Sequence, residues 1–286
     1  MRLSTCLLLP LLLLTAVPSR AQSVPTRKLG CTQVITSLPF DIDVPGSYCL
    51  GTSLVAAGTA YGVHIRADGV TLDCKDMQLA HGNPGNEASA ILGDARSNVV
   101  IKNCRIANFA EGIHFGPRSR GIQVLNNVIS GAKLDGIVLW ANGSRVIGNR
   151  VLDTHGDGQA PYQRNITITA FEPGVPSTGN LVQDNTIAGA HGTSTIYGLR
   201  LDKTNNALVM GNQFLDLQPT SGGNAYAILV DGIGARLLDN TMAARVPGNQ
   251  GLSLTPGTSC SGNIAIGLAD AGFTGCTSSV DNVVLP

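Results

Sequence analysis

The chain has 286 residues, and its 19 Lys and Arg are matched by 19 Asp and Glu for a formal net charge of zero. Without a basic excess there is little to grip a phosphate backbone, so nucleic acid is not an expected partner. Gly is abundant at 35 residues, Trp occurs once, and no amphipathic helix period persists; short strands and turns must carry the fold.

The N-terminus opens with Met1-Arg2, runs apolar from Cys6 to Val17 and reaches Ser19-Arg20-Ala21. This pattern predicts a secretory signal peptide over residues 1–21, cut after Ala21. The apolar run is short and contains Pro10, which argues against a membrane anchor. Cleavage removes Arg2 and Arg20, leaving 17 cations against 19 anions and a net charge of −2. The expected location is secreted or periplasmic, with no membrane insertion. Cys31, Cys49, Cys74, Cys104, Cys260 and Cys276 remain, and an even set in an exported chain predicts disulfides. Spacing favours Cys31–Cys49, Cys74–Cys104 and Cys260–Cys276, although other connectivities remain open. No CxxC spacing supports zinc.

Residues 22–61 form an expected N-terminal cap segment, 62–267 a repeat region, and 268–286 a C-terminal cap segment. In the repeat region, Val124-Leu125-Asn126-Asn127-Val128-Ile129 recurs in form at Val146, Val182, Val209 and Leu237. The Asn positions 127, 149, 185, 212 and 240 are 22, 36, 27 and 28 residues apart. Such a period means stacked units, so equivalent positions become columns on one surface. Within one unit, Gly112-Ile113-His114-Phe115, Ile122-Gln123-Val124-Leu125 and Val128-Ile129 are three predicted strands. The recurring Asn sits at the sharp turn after the second strand, where its amide can bond backbone, tolerate left-handed geometry and stack in a ladder.

The Gly-Ile-x-Leu-like strands (Gly112-Ile113-His114-Phe115, Gly136-Ile137-Val138-Leu139, Gly198-Leu199-Arg200-Leu201) and the Asn ladder resemble the pectate-lyase-like superfamily. The opening Leu38-Pro39-Phe40 through Cys49-Leu50, followed by Val70-Thr71-Leu72-Asp73, is similar too. The resemblance covers roughly residues 35–270. It implies an all-β, single-stranded, right-handed parallel β-helix of about eight coils. It specifies function weakly, because this fold hosts lyases, hydrolases, epimerases and adhesins. It also implies that the Gly-Ile strands form a first sheet, whose outer face is walled by the third turns and serves as the cleft in the enzymes.

Counting from each Gly gives two outward columns. One runs His64, Leu92, His114, Val138, Thr167, Arg200, Leu229, Ser253. The other runs Arg66, Asp94, Gly116, Trp140, Thr169, Asp202, Asp231, Thr255. Neighbours should be about 4.8 Å apart. Asp202 and Asp231 are thus a candidate catalytic pair, since close carboxylates repel and one pKa should rise. Their spacing is near the roughly 5–5.5 Å of retaining glycosidases. The same pair is a candidate Ca²⁺ site, and Arg200 a base or clamp for an acidic sugar. A plain surface ion pair is the competing reading. Trp140 is a candidate sugar platform, with His114 beside it as a candidate binding residue.

In the third turns, His81, His155 and His191 fall four residues after the last apolar residue of their coils, as does Lys133. Lys133, His155 and His191 are expected to line one wall of the cleft. His155 and Asp157, in the long insert 153–163, are a candidate acid/base pair, and His155 with His191 a weak metal site. Turn chemistry competes with both readings. With only Met77, Met210 and Met242 after the leader and no Met/His cluster, copper handling of the kind seen in periplasmic β-helix maturation proteins has little support. The expectation is an exported protein that binds an extracellular polysaccharide on its first-sheet face; if it is an enzyme, lyase or glycoside hydrolase chemistry is favoured. A non-catalytic matrix scaffold or adhesin is the alternative. No cofactor is specified beyond Ca²⁺.

Overall fold

The structure, a computed structural model, describes residues 30–82, 88–155, 162–170, 172, 174–192, 195–219, 223–244, 251–268 and 273–285. The signal segment and Asp157 lie outside the described residues. Three long parallel sheets run the length of the molecule, with nine, eleven and ten strands. Successive strands of one sheet come from successive coils, so the chain winds as a parallel β-helix of about eight turns.

The nine-stranded sheet, called the first sheet below, contains Phe40–Ile42, Tyr61–Ile65, Ser89–Gly93, Glu111–Arg120, Asp135–Asn142, Tyr162–Thr169, Thr195–Asp202, Ala225–Asp231 and Leu252–Leu254. The second sheet starts at Gln33–Ile35 and ends at Ser278–Val280; the third runs from Leu54–Ala56 to Val283–Leu285. Parallel pairing therefore continues on both sides of residues 62–267.

Alternation fills the interior. Ile129, Val151, Ile187 and Phe214 stack in register in the third sheet. Val124, Val146, Val182 and Val209 do the same in the second. All are at most 1% exposed. Burying such columns removes apolar surface from water at about 25 cal/mol per Å².

The turn between the second and third sheets carries the Asn ladder. Asn149 is typical. Its backbone N–H and Nδ2 donate to Asn185 Oδ1 at 2.9 and 3.0 Å, while Nδ2 also donates to Val124 O at 2.8 Å. The ladder includes the five predicted residues and continues through Asn263 to Asn282. At its other end Asn127 Oδ1 accepts from Cys104 N at 2.9 Å, and a disulfide ties Cys104 to Cys74 on the neighbouring coil. Cys31–Cys49 and Cys260–Cys276 form the other two bridges.

One expectation is corrected here. The ladder Asn residues do not take the left-handed conformation; the residue before each does. Asn126, Gly148, Asp184, Gly211, Asp239, Gly262 and Asp281 have φ between +53° and +67°. Asn, Asp and Gly are the residues that tolerate this region. The Asn after them is left free to aim its amide inward.

Candidate functional site

The first column lies as the sequence spacing predicts. His64 pairs with Leu92, Leu92 with His114, and the series continues through Val138, Thr167 and Arg200 to Leu229 and Ser253. In the second column Thr169 pairs with Asp202 and Asp202 with Asp231. The register breaks at Gly116 and Trp140, because the chain bulges between Phe115 and Ser119.

A third outward column was missed. It consists of the residues just before each Gly-like position: Tyr61, Ser89, Glu111, Asp135, Arg164, Tyr197 and Tyr226. The pairing skips the Gly itself. At Gly136 an added Cβ would overlap the Asn165 carbonyl oxygen and Val151, so coils approach closely there and the preceding side chain is turned out. Asp135 opens a strand, is 2% exposed, and binds Arg164. The readable signal was the tripeptide start Glu-Gly-Ile, Asp-Gly-Ile, Arg-Asn-Ile and Tyr-Gly-Leu.

This column supplies the densest polar chemistry on the face. Glu111 Oε2 lies 2.7 Å from His114 Nδ1 and accepts from Ser89 Oγ at 2.7 Å. Burial works against the His114 cation, but the Glu111 carboxylate, with Asp94 and Asp135 nearby, outweighs it and raises the imidazole above its ordinary value. Burial likewise works against the Glu111 carboxylate, yet His114, Ser89 and Arg164 hold it below the usual range.

Arg164 donates to both oxygens of Asp135 at 2.6 Å, the two-pronged geometry of guanidinium against carboxylate. Burial pushes the Asp135 carboxyl upward against the pull of Arg164. Arg164 also lies 4.6 Å from the Tyr162 ring centroid.

Further along the face, Tyr197 and Tyr226 stack with centroids 5.6 Å apart and planes 10° apart. Arg200 sits 5.3 Å from the Tyr197 ring and donates from Nη2 to Asp202 Oδ2 at 3.3 Å. Asp202 also accepts from Thr169 Oγ1 at 3.4 Å. Asp231 is exposed beside it.

In the third turns, His155 and His191 form a parallel bridge, and His191–Gly192 pairs with Gln218–Pro219. His155 N donates to Ala132 O, the residue before Lys133, with the offset that His191 N shows to Thr154 O. Lys133, His155 and His191 are therefore in one row. His81 differs: it is 3% exposed and packs edge-on to Phe109 at 5.2 Å. Trp140 is half-buried and lines a recess at the far edge of the first sheet.

A family model described as "Periplasmic copper-binding protein (NosD)" matches residues 52–249, more than half of the chain. The chain belongs to the NosD family. No curated protein matches the sequence. Among solved structures, this NosD-family chain is similar to the A-module of the Azotobacter vinelandii mannuronan C-5 epimerase AlgE6, at 13% identity and TM-score 0.55, over 84% of this chain and 77% of that one. It is similar to a DFA-IIIase from Arthrobacter chlorophenolicus A6 in complex with DFA-III, at 15% identity and TM-score 0.55, over 88% and 66% of the two chains. It also resembles the periplasmic alginate epimerase AlgG, at 15% identity and TM-score 0.50, over 86% and 61%. At these identities the likeness establishes the fold.

Copper favours imidazole, thioether and thiolate ligands. Here the six described cysteines are all in disulfides. Met77, Met210 and Met242 occupy a turn, the second sheet and the third sheet. Among the described residues no group of three or more His, Cys, Asp or Glu could hold a metal ion. His155 beside His191 supplies two imidazoles, and no third ligand joins them among the described residues. The described residues of this chain do not fit a copper centre, and among them no third acidic residue joins the Asp202–Asp231 pair.

Proposed function

We propose that this NosD-family chain binds an extracellular polysaccharide along the outer face of its first sheet and acts on it by acid–base chemistry. The observation that carries the reading is the His114–Glu111 pair standing on the same face as Arg164, Arg200 and the Tyr162, Tyr197 and Tyr226 rings. Aromatic rings offer flat apolar platforms for sugar rings, and a His oriented by a carboxylate is a common general acid or base. In this reading His114 moves the proton and Glu111 positions and charges it. Arg200 clamps an acidic group, while the Asp202–Asp231 pair serves hydroxyls or shares the proton work. Lys133, His155 and His191 wall the groove, and Asp157 belongs to the same insert. Three disulfides support an oxidising compartment, periplasmic or extracellular.

The second reading is a non-catalytic scaffold or adhesin. The mutual pairing of Asp135 with Arg164 favours it, since a satisfied buried pair is a structural brace as much as a tool.

The test is a polysaccharide panel with and without Ca²⁺, read by ultraviolet absorbance of unsaturated products, by new reducing ends, and by change in sugar stereochemistry. Turnover that falls by about 100-fold or more in His114→Gln supports the acid–base role. Turnover lost in Asp202→Asn or Asp231→Asn but kept in His114→Gln moves the chemistry to the carboxylate pair. Binding without turnover across the panel selects the scaffold.

A further inference from the structure

The bulge beside Trp140 builds a feature that the acid–base column does not use. Strand Glu111–Arg120 pairs Phe115 with Leu139, then Ser119 with Ala141 and Arg120 with Asn142. Gly116, Pro117 and Arg118 therefore oppose Trp140 alone. The excursion is held in place. Ser119 is 2% exposed; its Oγ donates to Gly116 O at 2.8 Å and accepts from Arg96 N at 3.3 Å. Asp94 lies so close over Gly116 that a Cβ there would collide with its carboxylate. Arg118 sits at φ +68°, costly for a side chain of its size. Bulges of this kind re-aim side chains next to binding sites.

The result is a recess of about 250 Å³ lined by Arg118, Arg120, Trp140, Asn142, Glu172 and Val175. Two guanidinium groups stand beside the single Trp of a chain that is otherwise close to neutral. The volume is below the roughly 300 Å³ at which drug-sized pockets begin, so it has room for about one sugar ring.

We infer that this recess is a subsite for a sugar ring bearing an anionic substituent, a carboxylate or a sulfate. The Trp140 ring takes the apolar face of the sugar. Arg118 and Arg120 take the anionic group, whose paired oxygens match a guanidinium fork. Glu172 accepts from ring hydroxyls and disfavours ligands that are anionic throughout, such as phosphate chains. The inference rests on the reading of the first-sheet face as a glycan surface and adds to it the charge class that this subsite selects.

Because Trp140 is the only Trp, emission excited selectively at the indole, beyond tyrosine absorption, reports on this recess. The probes are tetramers of galacturonate, of mannuronate and of a sulfated galactosamine–uronate repeat, with the methyl-esterified galacturonate tetramer as the neutral match. Calorimetry on the same samples reads binding anywhere on the chain. The expected result is a saturable change in Trp emission with at least one acidic tetramer, roughly ten-fold weaker or more with a neutral ring. Arg118→Gln and Arg120→Gln should each weaken the acidic ligand by roughly ten-fold or more and leave the neutral one unchanged. Equal binding of acidic and neutral tetramers overturns the charge selection and leaves the glycan face standing. Calorimetric binding without any change in Trp emission overturns the subsite and again spares the face. No binding by either method overturns both. Unchanged melting of the variants separates these outcomes from misfolding.

Discussion

Replacing Asn185 with Leu tests whether the ladder holds the solenoid together or merely decorates its turns. Asn185 is 1% exposed. Its Nδ2 donates to Val146 O at 2.8 Å and to Asn212 Oδ1 at 2.9 Å. Its Oδ1 accepts from Asn149 N at 2.9 Å and from Asn149 Nδ2 at 3.0 Å. Leu has similar bulk and none of these groups. Asn212 Oδ1 keeps a partner in the Asn185 backbone N–H, and Val146 C=O stays within the pairing of the second sheet, so the damage concentrates on the Asn149 N–H. A buried orphan of this kind costs about 1–3 kcal/mol. Urea unfolding of wild type and Asn185→Leu at neutral pH measures this, and hydrogen exchange at the Asn149 amide localises it. Asn185→Asp is the informative companion. It keeps the acceptor but turns an oxygen toward Val146 O, so only its protonated form can donate there. That carboxyl is raised in the folded state, and its stabilisation is present at low pH and lost as pH rises through the folded value. The Asp variant should therefore lie closest to wild type in acid. A loss below about 1 kcal/mol for Leu with an unchanged denaturant slope would refute the argument.

Three further substitutions test other parts of the fold. Asp73 is 5% exposed; burial opposes its charge, but Lys75, Asn103 and the Lys75 N–H bring its carboxyl down from 3.8 to about 2. That shift is worth about 2 kcal/mol, somewhat less because the Lys partners face solvent. Its folded value is depressed, so the stability is present above pH 3.8 and lost as pH falls toward about 2; Asp73→Asn should lower the melting midpoint at neutral pH and converge on wild type below that window. Gly136→Ala forces a Cβ into the Asn165 carbonyl and Val151; overpacking of this kind costs about 1–3 kcal/mol, read by thermal melting. For the His114–Glu111 pair, the raised His contributes below its ordinary value of 6.5 and loses that contribution as pH rises through the folded value. The depressed Glu contributes above 4.5 and loses its share as pH falls. The difference in melting temperature between wild type and His114→Gln should be largest between pH 4.5 and 6.5, and a difference flat across the pH range would show that the pair is not coupled.

The architecture was legible because it is periodic. Asn at the turn, apolar residues on alternate positions and a Gly at each first-sheet strand recur often enough to align by eye, and they placed His114, Arg200, Asp202 and Asp231 on the right columns. What escaped were local departures from the period. Counting from each Gly passes over the residue before it, so Glu111, Arg164, Tyr197 and Tyr226 are not flagged, although the tight Gly packing is what turns them outward. The three residues opposing Trp140 cannot be counted from a repeat, because a bulge adds residues to one strand only. His81 shares its phase with His155, but the ring of Phe109 beside it makes it an interior residue.

The ladder spacings themselves vary widely: 22, 36, 27, 28, 23 and 19 residues separate successive Asn partners, while the strands they anchor keep strict register. Length changes are absorbed entirely at the periphery. Such a chain can gain, lose or exchange a side loop without disturbing the lattice of the face next to it, which makes the walls of the groove and its floor separately evolvable parts.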